Sequence, residues 1–202
     1  MDRAYQKMLF AAKERLEEKD PLEIAKNANV VYDEEKKKYL IDSMGKRFEV
    51  TWPDYDCVEK IENWHHLLIL HYMDLADGTA LSSRLISFTN LKDGVIRGTK
   101  FDRTVEIKLQ KHLKGHSEEE LKAVLKKLGG VLKNSKADIC AEIPFLPMYP
   151  MTMNIWLADD EYPISGKILL DESADHYLTI EDAVTAGEVL LGRIVEELQK
   201  KK

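Results

Sequence analysis

The sequence predicts an α+β fold, with mainly antiparallel sheet flanked by helices and a long C-terminal helix. Three observations carry that expectation. Helical and extended segments come in blocks, without the regular alternation that builds a parallel sheet. Extended pieces are joined around Gly45 and around Asp159–Pro163, links too short for a crossover helix. The last block opens on Thr179, carries Glu181 and Asp182 in its first turn, and keeps Val184, Val189, Leu190 and Ile194 on one stripe as far as Gln199.

The elements follow in order. Tyr5 to Lys19 reads as an amphipathic helix, with Leu9, Ala12 and Leu16 on one face and Glu14, Glu17 and Glu18 opposite. Pro21 opens a second short helix through Ala28. Val30–Tyr32, Lys38–Ser43 and Arg47–Trp52 read as an antiparallel meander, in which Phe48, Val50 and Trp52 alternate with Glu49 and Thr51. Asn63–Leu75 is a helix with Trp64, Leu67, Leu68, His71 and Leu75 on or near one stripe, ended by Asp77-Gly78. Thr79–Gly98 is less regular, with Gly94 and Gly98 inside it and a short extended piece at Leu85–Phe88. Asp102–Leu113 is helical. Ser117 with Glu120 forms a capping box for another helix that stops at Gly129-Gly130. Ala137–Ile143 returns to strand, and Met151–Leu157 with Ile164–Leu170 makes a hairpin. Gly187 and Gly192 lower the propensity of the last helix and are expected there for close packing.

A chain of 202 residues, 44% hydrophobic and 33% charged, can bury a core without disulfides or metals. A single domain over residues 1–202 is expected, with residues 1–56 as a candidate small subdomain of helix and meander. The Gly129–Lys136 stretch is the candidate soft joint. The net charge is −6 and the basic residues are scattered, so there is no cationic stripe for a phosphate backbone and no nucleic-acid role is expected. No apolar run is long enough to span a membrane, and the first residues lack a signal-peptide core. A cytoplasmic protein is expected. Cys57 and Cys140 lack the paired spacing of a zinc or iron–sulfur site and are expected to be small buried apolar residues.

Two segments draw functional attention. Pro144, Pro147 and Pro150 recur at a period of three, which predicts a polyproline II ribbon. With Phe145, Met148, Tyr149, Met151 and Trp156 it offers soft, aromatic surface for a flat apolar cofactor or a partner helix; ordinary core is the competing and commoner use of such residues. His71 is the candidate axial ligand should that cofactor be a corrinoid or other tetrapyrrole. His65 and His66 lack metal-sharing spacing with His71 and read as hydrogen-bonded structural residues. The second segment gathers Asp160, Glu161, Asp171, Asp175 and His176 into a candidate metal site, the alternative function being a metal-assisted enzyme. Asp171, Ser173, Asp175 and Asp182 partly match a calcium loop, but His176 stands where that loop needs glycine. The plain alternative is a strand end, a turn and a capped helix. No elbow serine, phosphate loop or dinucleotide fingerprint is present.

Pro144, Pro147 and Pro150, then Asp160-Glu161-Tyr162-Pro163, Leu170-Asp171, Ala174, Tyr177-Leu178, Glu181-Asp182 and Gly187, together resemble the family known as domain of unknown function 3786. Leu68–Tyr72, Ile86-Ser87-Phe88 and Phe101 extend the likeness. The resemblance implies a setting in anaerobic bacteria and archaea. Similar proteins include some with an added four-cysteine iron–sulfur segment of the kind found in corrinoid one-carbon proteins. This chain lacks that segment, so no iron–sulfur cluster of its own is expected. The resemblance thus implies a binding or accessory role, with a cofactor or protein partner, in one-carbon or redox metabolism.

Overall fold

A computed structural model describes residues 3–200. Six α-helices and two antiparallel sheets form the described chain. α1 (Arg3–Glu17) and α2 (Pro21–Asn27) precede the meander of β1 (Val31–Asp33), β2 (Lys38–Ser43) and β3 (Lys46–Thr51). Asp20 caps α2 by accepting the N–H groups of Leu22 and Glu23, and Pro21 occupies its first turn. α3 (Asn63–Leu75) follows, then β4 (Leu85–Ile86), a 3₁₀ turn at Phe88–Asn90, α4 (Gly94–Leu113) and α5 (Glu118–Lys127). The capping box of Ser117 and Glu120 forms as expected. β5 (Val131–Leu132), β6 (Ile139–Leu146), β7 (Tyr149–Trp156), β8 (Ser165–Asp171), a second 3₁₀ turn at Glu172–His176 and α6 (Ile180–Gln199) complete the chain. The strand orders are β1-β2-β3 and β4-β8-β7-β6-β5. One apolar cluster runs from Tyr5 and Leu16 through both sheets to Ile194 and Leu198.

The polyproline ribbon is corrected. Residues 144–150 turn a tight hairpin, with Pro144 facing Pro150, Leu146 facing Tyr149, and a bulge at Phe145. Pro147 and Met148 form its tip. The Pro144 carbonyl points away from β7 and accepts the Met44 N–H at 2.8 Å, so Pro144 sits at a non-hydrogen-bonded pair. Neither proline therefore removes a bond of the β6–β7 ladder, which is why these strands tolerate them. The same bond ties the β2–β3 turn of one sheet to the edge of the other.

Two further expectations shift. The region around Gly94 and Gly98 is not irregular, because α4 begins at Gly94 and runs through both glycines. A Cβ at Gly98 would lie 2.1 Å from the Phe88 carbonyl oxygen, so the helix rests directly on the backbone of the 3₁₀ turn. The stretch after Gly129 starts as an edge strand, with Val131 and Leu132 pairing with Glu142 and Ala141, and residues 133–138 form the loop that follows.

Candidate functional site

A cleft of about 320 Å³ opens between the β2–β3 turn, the segment leading into α3, and one face of α6. Met44, Phe48, Ile61, Trp64 and Val189 supply its apolar lining. His65 lies in the floor, only 4% exposed. Its place is set by the helix start, since the Glu62 carboxylate caps α3 by accepting the His65 N–H at 2.8 Å. The imidazole packs edge-on to Phe48, centroids 5.4 Å apart, and tilts over Phe145 at 5.6 Å. The strand that carries the proline-rich hairpin thus supports the cleft from beneath.

The tautomer of His65 follows from its partners. Ser43 Oγ donates to the Phe145 carbonyl at 2.5 Å, which uses the only hydroxyl proton. The 2.8 Å contact between Ser43 Oγ and His65 Nε2 must then be donated by the ring. Nδ1 is left as an acceptor, with no hydrogen-bond partner among the described residues. Burial, helped by Arg193, His66 and Lys46, pushes the imidazole down to about 4, so the ring is neutral at pH 7. This is not a nucleophilic pair. Ser43 is 1% exposed, its proton is committed to a carbonyl, and the histidine donates to it where a base would accept.

The charges around the cleft are unevenly committed. Glu62 caps α3, Glu188 is held by Lys108 at 2.6 Å, and Glu196 by Arg193 at 2.6 Å. Lys46 and Lys60 line the same cleft, exposed, and make no ion pair among the described residues.

Gly192 explains why the hollow stays open. Gly187, also in α6, is a packing glycine, because a Cβ there would meet the Phe101 ring at 2.3 Å. Close packing was expected at Gly192 too, but a Cβ there meets nothing within 4 Å. A mid-helix glycine costs about 0.5–1 kcal/mol relative to alanine, and no contact accounts for this one. Gly192→Ala is therefore expected to stabilise the fold by about 0.5–1 kcal/mol in urea denaturation. A loss of stability would show that this helix face is not open.

The residues singled out in the sequence are dispersed. Phe145, Tyr149 and Met151 are buried in the core, at 0%, 1% and 0% exposure, and do not line the cleft. Met148 is half-buried at the hairpin tip, its N–H held by Tyr72 Oη. Trp156 lines a separate hollow beside α4, with Ile107, Tyr162 and Pro163. His71 is engaged through Nδ1 with Asp182 at 2.7 Å. Burial raises the Asp182 carboxyl, but His71 and Thr179 more than offset this and hold it below the usual carboxylate range.

The acidic candidates do not converge. Asp160 and Glu161 sit exposed in the β7–β8 turn, which Asp159 orders by accepting the N–H groups of Glu161 and Tyr162. Asp171 is buried and takes N–H and O–H bonds from both Ser82 and Ser173 on Oδ1, and the Ser83 N–H on Oδ2, so it is committed to ordering its own turn. Asp175 accepts the Lys92 N–H, while His176 pairs with Asp77 at 2.7 Å. Among the described residues no three His, Cys, Asp or Glu side chains come together as a metal site would need. Cys140 is buried as expected but Cys57 is only half-buried, and partial burial pushes its thiol up to about 11, which keeps it protonated at neutral pH.

A family profile described as a domain of unknown function, DUF3786, matches residues 20–193. The chain belongs to that family. The DUF3786 match takes in β2, β3, α3 and α6 as far as Arg193, the elements that enclose the cleft. No curated protein and no solved structure matches the chain. No helix among the described residues is long and apolar enough to cross a membrane.

Sequence reasoning missed the cleft. Ser43, Lys46, Lys60, His65 and Gly192 come from separate segments with no shared spacing. The one available signal is Gly192, a glycine inside a helical pattern, and only the fold shows that nothing packs against it.

Proposed function

We propose that this DUF3786 protein is a cytoplasmic binding or accessory protein that holds a compact, flat apolar ligand in the His65 cleft. The observation that carries this reading is the open face at Gly192. A glycine that weakens its own helix, with vacant space before it, stands over an apolar lining that includes His65, whose Nδ1 has no hydrogen-bond partner among the described residues. Small-molecule sites have this composition, mostly apolar with a few placed polar groups. The volume lies at the low end of the usual range of roughly 300–1,000 Å³, which suits a small ring system better than a whole corrinoid macrocycle. The corrinoid or one-carbon association keeps support from the family likeness and from His71, whose Asp182 partner is the kind that orients a ligating histidine. A metal-assisted enzyme built on residues 159–182 has less support, because those carboxylates are already committed to backbone and side-chain donors.

The test is fluorescence titration with 1-anilinonaphthalene-8-sulfonate, a flat anionic probe, beside absorbance titrations with cobalamin and haem. Saturable enhancement with the natural sequence is expected, weakened about tenfold or more in Gly192→Leu, which fills the cleft. Near-UV circular dichroism confirms that both proteins stay folded. Equal binding by a folded Gly192→Leu variant would sink the reading. A haem or cobalamin spectrum that shifts in the natural protein but not in His71→Ala would move the site to His71.

A further inference from the structure

We infer that the ligand of this cleft is a planar aromatic acid, with an N–H or O–H donor directed at His65 Nδ1 and its anionic group between Lys46 and Lys60. The inference rests on the binding role proposed above and specifies the chemistry that the site selects. Three observations converge on it. The floor is apolar and aromatic, with Phe48 and Trp64 on the lining and Phe145 beneath His65. His65 lines it, and because Ser43 forces the ring proton onto Nε2, its Nδ1 is an acceptor without a partner among the described residues. A ligand lacking a donor at that point would leave a buried acceptor unpaired, and one with a donor would satisfy it.

The rim sets the charge. Glu188 and Glu196 are paired with Lys108 and Arg193, and the Glu62 carboxylate is turned to the α3 terminus, so neither Lys46 nor Lys60 has an ion-pair partner among the described residues. An anion there meets positive charge, whereas a cationic ligand would bring a third positive group beside Lys46 and Lys60. Because both lysines are exposed, that attraction is screened by salt; the interaction at the floor is not.

Displacement of 1-anilinonaphthalene-8-sulfonate by three matched compounds separates these elements. Indole-5-carboxylate carries both the ring N–H and the acid. Its N-methyl derivative loses the donor, and indole loses the acid. Indole-5-carboxylate is expected to displace the probe best, with each truncated compound weaker by about tenfold. Raising salt from about 0.05 to 0.5 M is expected to erase its advantage over indole and leave its advantage over the N-methyl compound. In Lys46→Met/Lys60→Met the acid preference is expected to vanish while the N–H preference persists. The inference is overturned if the three compounds compete equally, if none competes, or if the double variant keeps the acid preference. Those results, obtained while the fluorescent probe still binds, would leave the cleft as a site with different selectivity. Failure of the probe itself would remove the binding role as well.

Discussion

Acidification from pH 6.5 to 4 is expected to cost the fold about 3 kcal/mol through His65 alone. Burial pushes the folded imidazole from its ordinary 6.5 down to about 4, so between those values the unfolded chain binds the extra proton. The contribution is therefore complete above pH 6.5 and lost as the pH falls toward 4. Every charged neighbour that shifts it is cationic: Arg193 on α6, Lys46 on β3 and His66 beside it on α3. Glu62, Glu188 and Glu196 are the acids on the same cleft, but Glu62 is turned to the backbone N–H and the other two to Lys108 and Arg193. His66 is lowered as well, chiefly by burial, and adds to the same trend. The carboxylates that ion pairs hold low act later. Glu197, pulled down to about 2 by Lys127 and Lys200, loses its contribution only below its ordinary value of 4.5. Urea denaturation at pH 7, 6 and 5 isolates the histidine window. Stability is expected to fall steeply there in the natural protein and more shallowly in His65→Asn. An unchanged slope in that variant, or a proton NMR midpoint near 6.5 for His65, would refute the assignment.

Gly98→Ala is expected to destabilise the protein by about 3 kcal/mol, lowering Tm by roughly 6–12 °C. The new Cβ would stand 2.1 Å from the Phe88 carbonyl oxygen and 2.4 Å from its carbon, and both belong to backbone that cannot rotate away. α4 would have to lift from the 3₁₀ turn, disturbing the contact between Phe88 and Phe101, whose centroids lie 4.4 Å apart. It would also strain the Asp102 carboxylate, which accepts from Thr89 N at 3.1 Å and from Thr89 Oγ1 at 2.7 Å. The same substitution at Gly192 is expected to stabilise. Opposite signs for one chemical change at two helical glycines is a strong form of the prediction. A loss below about 1 kcal/mol at Gly98 would mean the helix is not seated on that backbone.

Local chemistry made most of the fold legible. The Ser117–Glu120 box, the Asp20–Pro21 start of α2, the Thr179 cap of α6 and the alternation at Phe48 and Val50 each act within a few residues, and each appears where expected. What was misread depends on distant partners. Gly94 and Gly98 lower helix propensity, and only the facing backbone of Phe88 shows why a helix keeps them. Three prolines at a period of three fit an extended ribbon equally well as two strand positions flanking a hairpin tip. The bulge at Phe145, which decides between them, leaves no mark in composition. The acids of 159–182 are close in sequence yet are drawn to separate partners at Ser82, Lys92 and Asp77. His65 and Gly192 lie on different helices, and nothing in the order of residues predicts that they line one hollow.

The facing prolines have a consequence for behaviour in a crowded solution. A sheet margin recruits neighbouring molecules by offering alternate amide protons and carbonyls in a row. At Pro144 the proton is missing and the carbonyl is already taken by Met44, while Val131 and Leu132 cover the margin just upstream. An incoming segment from a second molecule would find no donor there and no free oxygen. The chain thereby guards one of its most apolar stretches, Ile139 to Met153, against fibrillar stacking without spending a charged residue on that strand end.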